Sequence, residues 1–420
     1  MQFYDIIIIG GGAAGFMAAI CAAERAPHKK ILILERGKEV LTKVKISGGG
    51  RCNVTHNCPD PELLARNYPR GSRALIGVFS RFGQAETVEW FKEKGVRLKA
   101  EKDGRMFPVT DDSQTIINCL VQSAQKNKVE IKKGCRVQTF EKTEEQTWEI
   151  TLTHEPPVFC NDLMIATGSN PSVWSQIAGL GHTIIPPVPS LFTFNIKDER
   201  LKDLPGISFE KVGLKISAPQ ISDKKLIREI NAVEAEGSLL ITHWGLSGFG
   251  ILKLSAWGAR IFHRLNYHFL VHVNFLPQMP QDAVAEKLAA LKKEWAKKQV
   301  GNLSPFDEIP NRFWKRICTC TLENEHKNWG DLSKKEMYDL QNQLVNASFQ
   351  VTGKSTFKDE FVTAGGVDLK EVNFQTFESK IIPRLYFAGE VLDIDALTGG
   401  FNFQAAWSGG WHAGVAMAQN

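Results

Sequence analysis

The sequence predicts an α/β fold in which a first domain, assembled from both ends of the chain, is interrupted by a β-rich domain that carries a helical insertion. Three observations predict it. The chain opens on a strand, a glycine turn, a helix and a second strand, from Asp5 to Glu35. From about Pro186 it changes to short strand-like pieces and then to a lysine-rich stretch with helical spacing. Near the C-terminus, Leu385 to Glu390 has the character of the opening again. A chain of 420 residues is long enough for two or three domains with well-buried cores. The expected boundaries are 1–188 with 355–420 for the first domain, 189–279 with 345–354 for a β-rich, barrel-like domain, and 280–344 for the helical insertion.

Each element has a local reason. Asp5 to Ile9 is a β-branched run suited to a parallel strand buried on both faces. Ala13 to Ala26 is rich in alanine and ends at Pro27, as a helix would. Ile31 to Glu35 (ILILE) completes a βαβ unit of about 30 residues. A polar, glycine-rich segment follows, then a helix from Gln84 to Lys94. Val129 to Val137 and Thr147 to Thr153 alternate like strands, and Leu163 to Ala166 reads as another buried strand. Beyond the prolines at 186, 187 and 189 come strand-like pieces at Leu191 to Ile196, Lys211 to Ile216, Ser238 to Thr242 and Val271 to Phe275. Pro280 to Asn346 reads as helical, with Val284, Leu288, Leu291 and Trp295 on one stripe. Strand character resumes near Phe349.

Charge and cysteine bound the possibilities. The formal net charge is only +5. Eleven Lys/Arg against six Asp/Glu between Lys287 and Lys335 account for all of it. That stretch reads either as a solvated helical face or as a docking surface for something anionic. The eight cysteines form no C-x-x-C pair and no zinc-type spacing, so no metal site is expected, and scattered thiols of this kind suit a cytoplasmic protein. No run of eighteen apolar residues suggests a membrane span.

The chemistry begins with Gly10-x-Gly12-x-x-Gly15, placed between the first strand and first helix. Gly10 permits the tight turn, Gly12 lets the backbone approach a pyrophosphate, and Gly15 allows close packing of helix on strand. The helix start offers free N–H groups and a positive dipole end to phosphate. Glu35, twenty residues after Gly15, is placed to accept from ribose hydroxyls. With strand, helix and acid in register, this is a Rossmann-like dinucleotide signature, shared by FAD and NAD. Three further pieces choose FAD. Lys45, Ser47, Gly48, Arg51, Cys52 and Asn53 belong to a second glycine loop, KISGGGRCN. Thr167 and Gly168 end a strand in an ATG motif. Gly389, Glu390 and Asp393 precede a glycine-led helix start at Gly400, Phe401, Asn402 and Gln404, suited to stabilising negative charge on a flavin. Ala14, Arg36 and Val137 complete the expected cofactor contacts.

These pieces resemble the HI0933-like family of bacterial flavoproteins, also known as YhiN-type, BaiN-like or aminoacetone oxidase-like. The likeness lies in GGGAAG (Gly10 to Gly15), KxSGGGRCN (Lys45 to Asn53), ATG (Ala166 to Gly168), THWGLSG (Thr242 to Gly248), VTAGGVDLKEV (Val362 to Val372), ESK (Glu378 to Lys380) and YFAGEVLDIDALTGGFNFQAAWSGG (Tyr386 to Gly410), so it spans the whole chain. The chain departs from the family pattern at Ser169, where a second glycine is usual, and at Phe249, which replaces a proline. The resemblance implies an FAD-binding domain interrupted by a β-rich domain with a helical insertion. It also implies an oxidoreductase reducing an activated C=C bond, with a uracil base in ribosomal RNA or a conjugated enone as substrate. An aminoacetone-type amine oxidase, or an RNA- or ribosome-binding protein with structural FAD, are the alternatives.

The chain holds no second strand-GxGxxG-helix unit, which leaves NAD(P)H as a candidate transient reductant bound by other means. Hydride delivery to a C=C bond needs a proton donor near the ring. Cys52, His243 and Asp395 are the candidates carried forward, with His56 beside them. An RNA substrate needs phosphate contacts, and Lys287, Lys292, Lys293, Lys297, Lys298, Arg312, Lys315 and Arg316 are available for them. Trp295, Phe313 and Trp314 interleave with them, either as core or as stacking surfaces.

Overall fold

In the computed structural model, residues 2–324, 326–355 and 362–420 are described. They divide into two compact units, 1–188 with 362–420 and 189–361. The expected return to the first domain at 355 falls beside residues 356–361, which lie outside those described.

The first unit is an α/β layer structure around a nine-stranded sheet. Its parallel heart runs in the order Leu385–Phe387, Val158–Ile165, Gln2–Ile9, Ile31–Glu35, Glu130–Lys133. Ile6, Ile7 and Ile8 are wholly buried, which is why this strand is a continuous apolar run rather than an alternating one. The register sets Ile9 beside Leu34 and Ile165, and Ile165 beside Phe387. Four strands therefore end at the same carboxyl edge, where Gly10, Glu35, Ala166 and Ala388 begin the loops. Ligands of open parallel sheets bind beyond that edge.

The helix Ala13–Arg25 is buried from Ala14 to Ala23, because its small side chains let neighbours approach on every side. The C-terminal helix Phe401–Gln419 packs along it. A Cβ on Gly410 would lie 2.5 Å from the Ala14 carbonyl oxygen, and one on Gly414 2.4 Å from that of Ala18. The pairing of 410 with 14 and of 414 with 18 makes the two helices run in the same direction.

Several elements differ from expectation. Val129 to Val137 is not one strand: Gly134, at φ +69°, breaks it into Glu130–Lys133 and Val137–Lys142. The latter forms an antiparallel hairpin with Trp148–Leu152. The polar segment after Glu35 contains the short helices Thr42–Ile46, Pro61–Ala65 and Ser72–Phe79, and Ser113–Lys126 is a full helix capped by Asp112. A three-stranded sheet, Thr55–His56 with Arg105–Pro108 and Leu98–Ala100, stands beside them.

The second unit is a seven-stranded antiparallel sheet. Its edge strands, Ala347–Val351 and Gly353–Ser355, are separated in the chain only by Thr352, so the sheet curls until its edges lie close together. Among the described residues, the stretch expected to be helical contains three α-helices, Gln281–Glu294, Asn311–Thr321 and Lys334–Val345, joined by irregular chain with two short 3-10 turns. It shares one core with the sheet: the Phe313 ring packs 5.0 Å from Phe209 and 4.7 Å from Phe275. Among the described residues no helix is long and apolar enough to cross a membrane.

Candidate functional site

The site in the first unit is built from two helix starts and the loops at the sheet's carboxyl edge. Gly10, at φ +119°, leaves the strand in a conformation that disfavours side chains, and a Cβ there would meet the Ala166 carbonyl oxygen at 2.3 Å. A Cβ on Gly15 would lie 2.1 Å from the Gly10 carbonyl oxygen, whereas one on Gly12 would meet nothing within 4 Å. Gly10 and Gly15 thus serve packing, while Gly12 leaves open space at the N-cap. That helix has no side-chain cap and no acid in its first turn, so its orphan N–H groups remain available to an anion.

The C-terminal helix start is similar. Its N-cap is Gly400, at φ +92°, again without a capping side chain or an acidic first turn. Since Gly410 is level with Ala14, this start lies eight residues, roughly 12 Å at 1.5 Å per residue, ahead of the first helix start. Two positive helix ends set apart by about the length of a ribityl chain and a ring fit a flavin nucleotide, with pyrophosphate at one and the pyrimidine edge at the other. A third observation agrees. The buried Thr167 hydroxyl oxygen has no hydrogen-bond partner, an omission that a bound ligand's polar group would repair.

Glu35 sits between these loops and accepts from the Gly11 N–H at 2.9 Å and the Gly37 N–H at 2.6 Å. A carboxylate has further lone pairs, so this anchoring leaves acceptor capacity for ribose. Arg36 is exposed beside it. Val137 opens its strand two residues after Cys135, whose N–H donates to the Glu35 carbonyl. On the opposite side Glu390 pairs with Lys43 at 2.5 Å, and Asp393 is buried. Gly168 and Gly389 are both in the left-handed region, at φ +65° and +76°.

The second glycine loop turns through three left-handed residues, Gly48, Gly49 and Gly50. Ser47 donates to the Val44 carbonyl at 2.9 Å, and Lys45 pairs with Glu39 at 3.1 Å in an exposed position. The buried Asn53, in the amide orientation that satisfies its neighbours, donates to the Thr55 and Met106 carbonyls and accepts from the Gly400 N–H at 3.0 Å. This loop therefore holds the C-terminal helix start in position. Tyr68 assists by donating to the Phe401 carbonyl at 2.6 Å, and the half-buried His56 ring stacks on Phe401 at 4.6 Å. His56 Nδ1 lies 3.1 Å from the Gly399 carbonyl oxygen.

Five of the expected site residues have their side chains engaged or enclosed within the protein. Arg51 is not presented to phosphate: its guanidinium is held by Glu101 at 2.7 Å and Asp111 at 3.5 Å and lies over the Phe107 ring. Gln404 faces inward, fully buried, accepting from the Thr55 hydroxyl and donating to Thr87 and Ser408. Cys52 is fully buried, and burial pushes its thiol up to about 12, so it packs the loop rather than reaching a substrate. Asp395 is also fully buried and forms a two-pronged ion pair with Arg70, which closes it off as an acid. Asn402 folds back on its own loop, bonding both backbone groups of Ala396. His243 is exposed on a hairpin turn of the second unit. Sequence reading missed Lys43, Thr55, Tyr68 and Arg70, which lie outside the glycine signatures and act through partners distant in sequence.

In the helical part of the second unit, much of the expected basic surface is engaged locally. Lys292 donates to the Leu332 carbonyl, Lys287 lies over Phe306, Arg312 donates to the Asp203 carbonyl and Arg316 pairs with Asp203. Phe313 and Trp314 are core; Trp295 is only partly buried.

A family model described as the HI0933-like protein Rossmann domain matches residues 4–416. The chain is 28% identical to the 3-dehydro-bile acid delta(4,6)-reductase of Clostridium scindens, over 98% of each chain. It is 27% identical to the ribosomal RNA dihydrouridine synthase of Escherichia coli, over 98% of this chain and 97% of that one. Among solved structures it is similar to the 3-ketosteroid-delta4-(5alpha)-dehydrogenase of Rhodococcus jostii, with a TM-score of 0.53 and 13% identity over 100% of this chain and 97% of that one. This last likeness is one of fold.

Proposed function

The chain belongs to the HI0933-like family, a family of FAD-dependent oxidoreductases, and from that premise we propose that it reduces an activated C=C bond in a uracil base of ribosomal RNA or in a conjugated enone. One observation carries the reading. Two relatives that match it from end to end, named for a bile-acid substrate and for a uridine, share the saturation of a C=C bond conjugated to a carbonyl. When bound, reduced FAD supplies the hydride for such a reduction.

The chain's own residues do the rest. N–H groups of the helix starting at Ala13 hold pyrophosphate, Glu35 accepts from ribose, and the Thr167 hydroxyl donates to the cofactor. The uncapped start at Gly400 stabilises negative charge at the pyrimidine edge. Asn53 and Tyr68 keep that start in place. With Cys52 and Asp395 enclosed, His56 is the acid candidate within the first unit. NAD(P)H is proposed as the reductant that precedes the hydride step.

The test is anaerobic. Purified yellow protein is bleached with NADH or NADPH and then mixed with a steroid enone or a uridine-containing RNA. Return of the colour, with a product two mass units heavier, is the expected result. Bleached protein that neither substrate reoxidises overturns the reading. His56→Gln is expected to lower kcat, and an unchanged kcat in the folded, flavin-loaded variant removes His56 as the acid.

A further inference from the structure

The helical part of the second unit contains an open hollow of about 440 Å3, lined by Trp295, Lys297, Lys298, Gln299, Asn302 and Asn328 with Leu303 at its side. Its floor is pinned by backbone pairing. Gln299 and Asn328 form an antiparallel bridge, Val300 N–H donates to the Lys327 carbonyl, and Trp329 N–H donates to that of Lys298. Below, the buried Trp314 indole N–H donates to the Val300 carbonyl at 2.7 Å. Two segments far apart in sequence are thus fixed against each other, and the hollow between them is a built feature.

Its lining has a specific chemistry. The side-chain amides of Gln299, Asn302 and Asn328 make no hydrogen bond to another described residue, and each offers two donors and an acceptor. Lys297 and Lys298 supply two exposed cations, and no carboxylate is among the described residues of the lining. The Trp295 indole is partly exposed, with the Lys298 ammonium 4.4 Å from its ring centre. A planar aromatic face, unpaired amides and paired cations match an unstacked base with its flanking phosphates.

We infer that this hollow is a docking site for single-stranded RNA, in which one base displaces the Lys298 ammonium from the Trp295 face and stacks there, its edge is read by the amides, and adjoining phosphates are held by Lys297 and the displaced Lys298. The inference rests on the uracil branch of the proposed function and adds a second point of contact to it. A duplex cannot use the site, because its bases are already stacked and paired.

The experiment uses the full-length holoprotein and a fluorescent single-stranded RNA of twelve nucleotides, with binding followed by anisotropy across a salt series. Wild type is expected to prefer this RNA over the same sequence in duplex form. K297Q/K298Q is expected to make the log–log salt dependence shallower by about 1.4, from two lost phosphate contacts on a single strand. Trp295→Leu is expected to weaken binding on the order of ten-fold. Melting temperature and flavin absorbance establish that each variant is folded. Unchanged affinity and salt dependence in the folded K297Q/K298Q protein overturn the inference, as does equal binding of duplex RNA. Enone turnover, measured in the same variants, is expected to be unaltered. Loss of RNA binding with enone reduction intact supports the docking site; the predicted binding pattern in a protein that reduces nothing supports it too and sinks the catalytic reading alone.

Discussion

Gly410→Ala tests the packing that sets the two helix starts apart. The new methyl would lie 2.5 Å from the Ala14 carbonyl oxygen and 3.0 Å from the Met17 Cβ. Real Cβ contacts essentially never fall below 3.0 Å, so the helices must part by at least ~0.5 Å. The obstacle is backbone, which cannot swing aside as a side-chain end would. Overpacking of this kind costs about 1–3 kcal/mol. Alanine in a helix returns up to about 1 kcal/mol relative to glycine, so the substitution needs a matched control. Gly179→Ala provides it: Gly179 is the last residue of a helix in the first unit, and a Cβ there meets nothing within 4 Å. The difference between the two variants isolates the clash, about 2 kcal/mol or a melting temperature lower by about 4–8 °C for a unit of this size. Flavin content, read as the ratio of visible to ultraviolet absorbance, should fall in Gly410→Ala and hold in Gly179→Ala. If the two variants melt within a degree of each other and retain equal flavin, the close helix contact does not determine cofactor geometry.

Other perturbations follow from single contacts. Thr167→Val removes a buried hydroxyl that has no partner, so the apoprotein should melt no lower than wild type, while FAD dissociates about five-fold more readily for want of one hydrogen bond; equal FAD affinity by titration would count against the hydroxyl as a cofactor ligand. Arg70→Ala strands the buried Asp395 carboxylate and should cost about 3–5 kcal/mol in urea unfolding, much of it recovered by adding Asp395→Asn. Burial raises Asp162 from the ordinary 3.8 to about 6, against the opposing pull of Arg384. A carboxyl raised in the folded state stabilises it in the neutral form and loses that advantage as pH rises through about 6. Asp162→Asn should therefore stabilise the protein by about 2–3 kcal/mol at pH 8 and hardly at all at pH 4; a pH-independent loss would refute this.

The glycine signatures were readable because their chemistry is local. Gly10 needs its conformation and Gly15 its closeness whatever the rest of the chain does, and the βαβ register follows from thirty consecutive residues. Helix Ser113–Lys126 was readable too, from Asp112 and the spacing of Ile116, Leu120 and Ala124, but went unrecognised. The short helices between Thr42 and Phe79 give too few turns for a period to emerge. Gln404 and Arg51 misled for a different reason. Both lie in motifs read as cofactor-binding, yet the face each presents is decided by Thr55, Thr87, Glu101 and Asp111, partners 50 or more residues away. Motif membership says which segment is near a ligand, and tertiary packing says which side chains in it are turned that way.

The pairing of Leu385–Phe387 with Leu163–Ile165 bears on biogenesis. A ribosome emits the N-terminal two-fifths of this polypeptide long before the last strand and helix emerge. Until that strand and helix are made, the growing chain bears an incomplete apolar layer and an unpaired strand edge, features that invite aggregation and chaperone attention. Cofactor capture must wait for them, and a truncation that removes only the helix Phe401–Gln419 should yield a protein that never turns yellow.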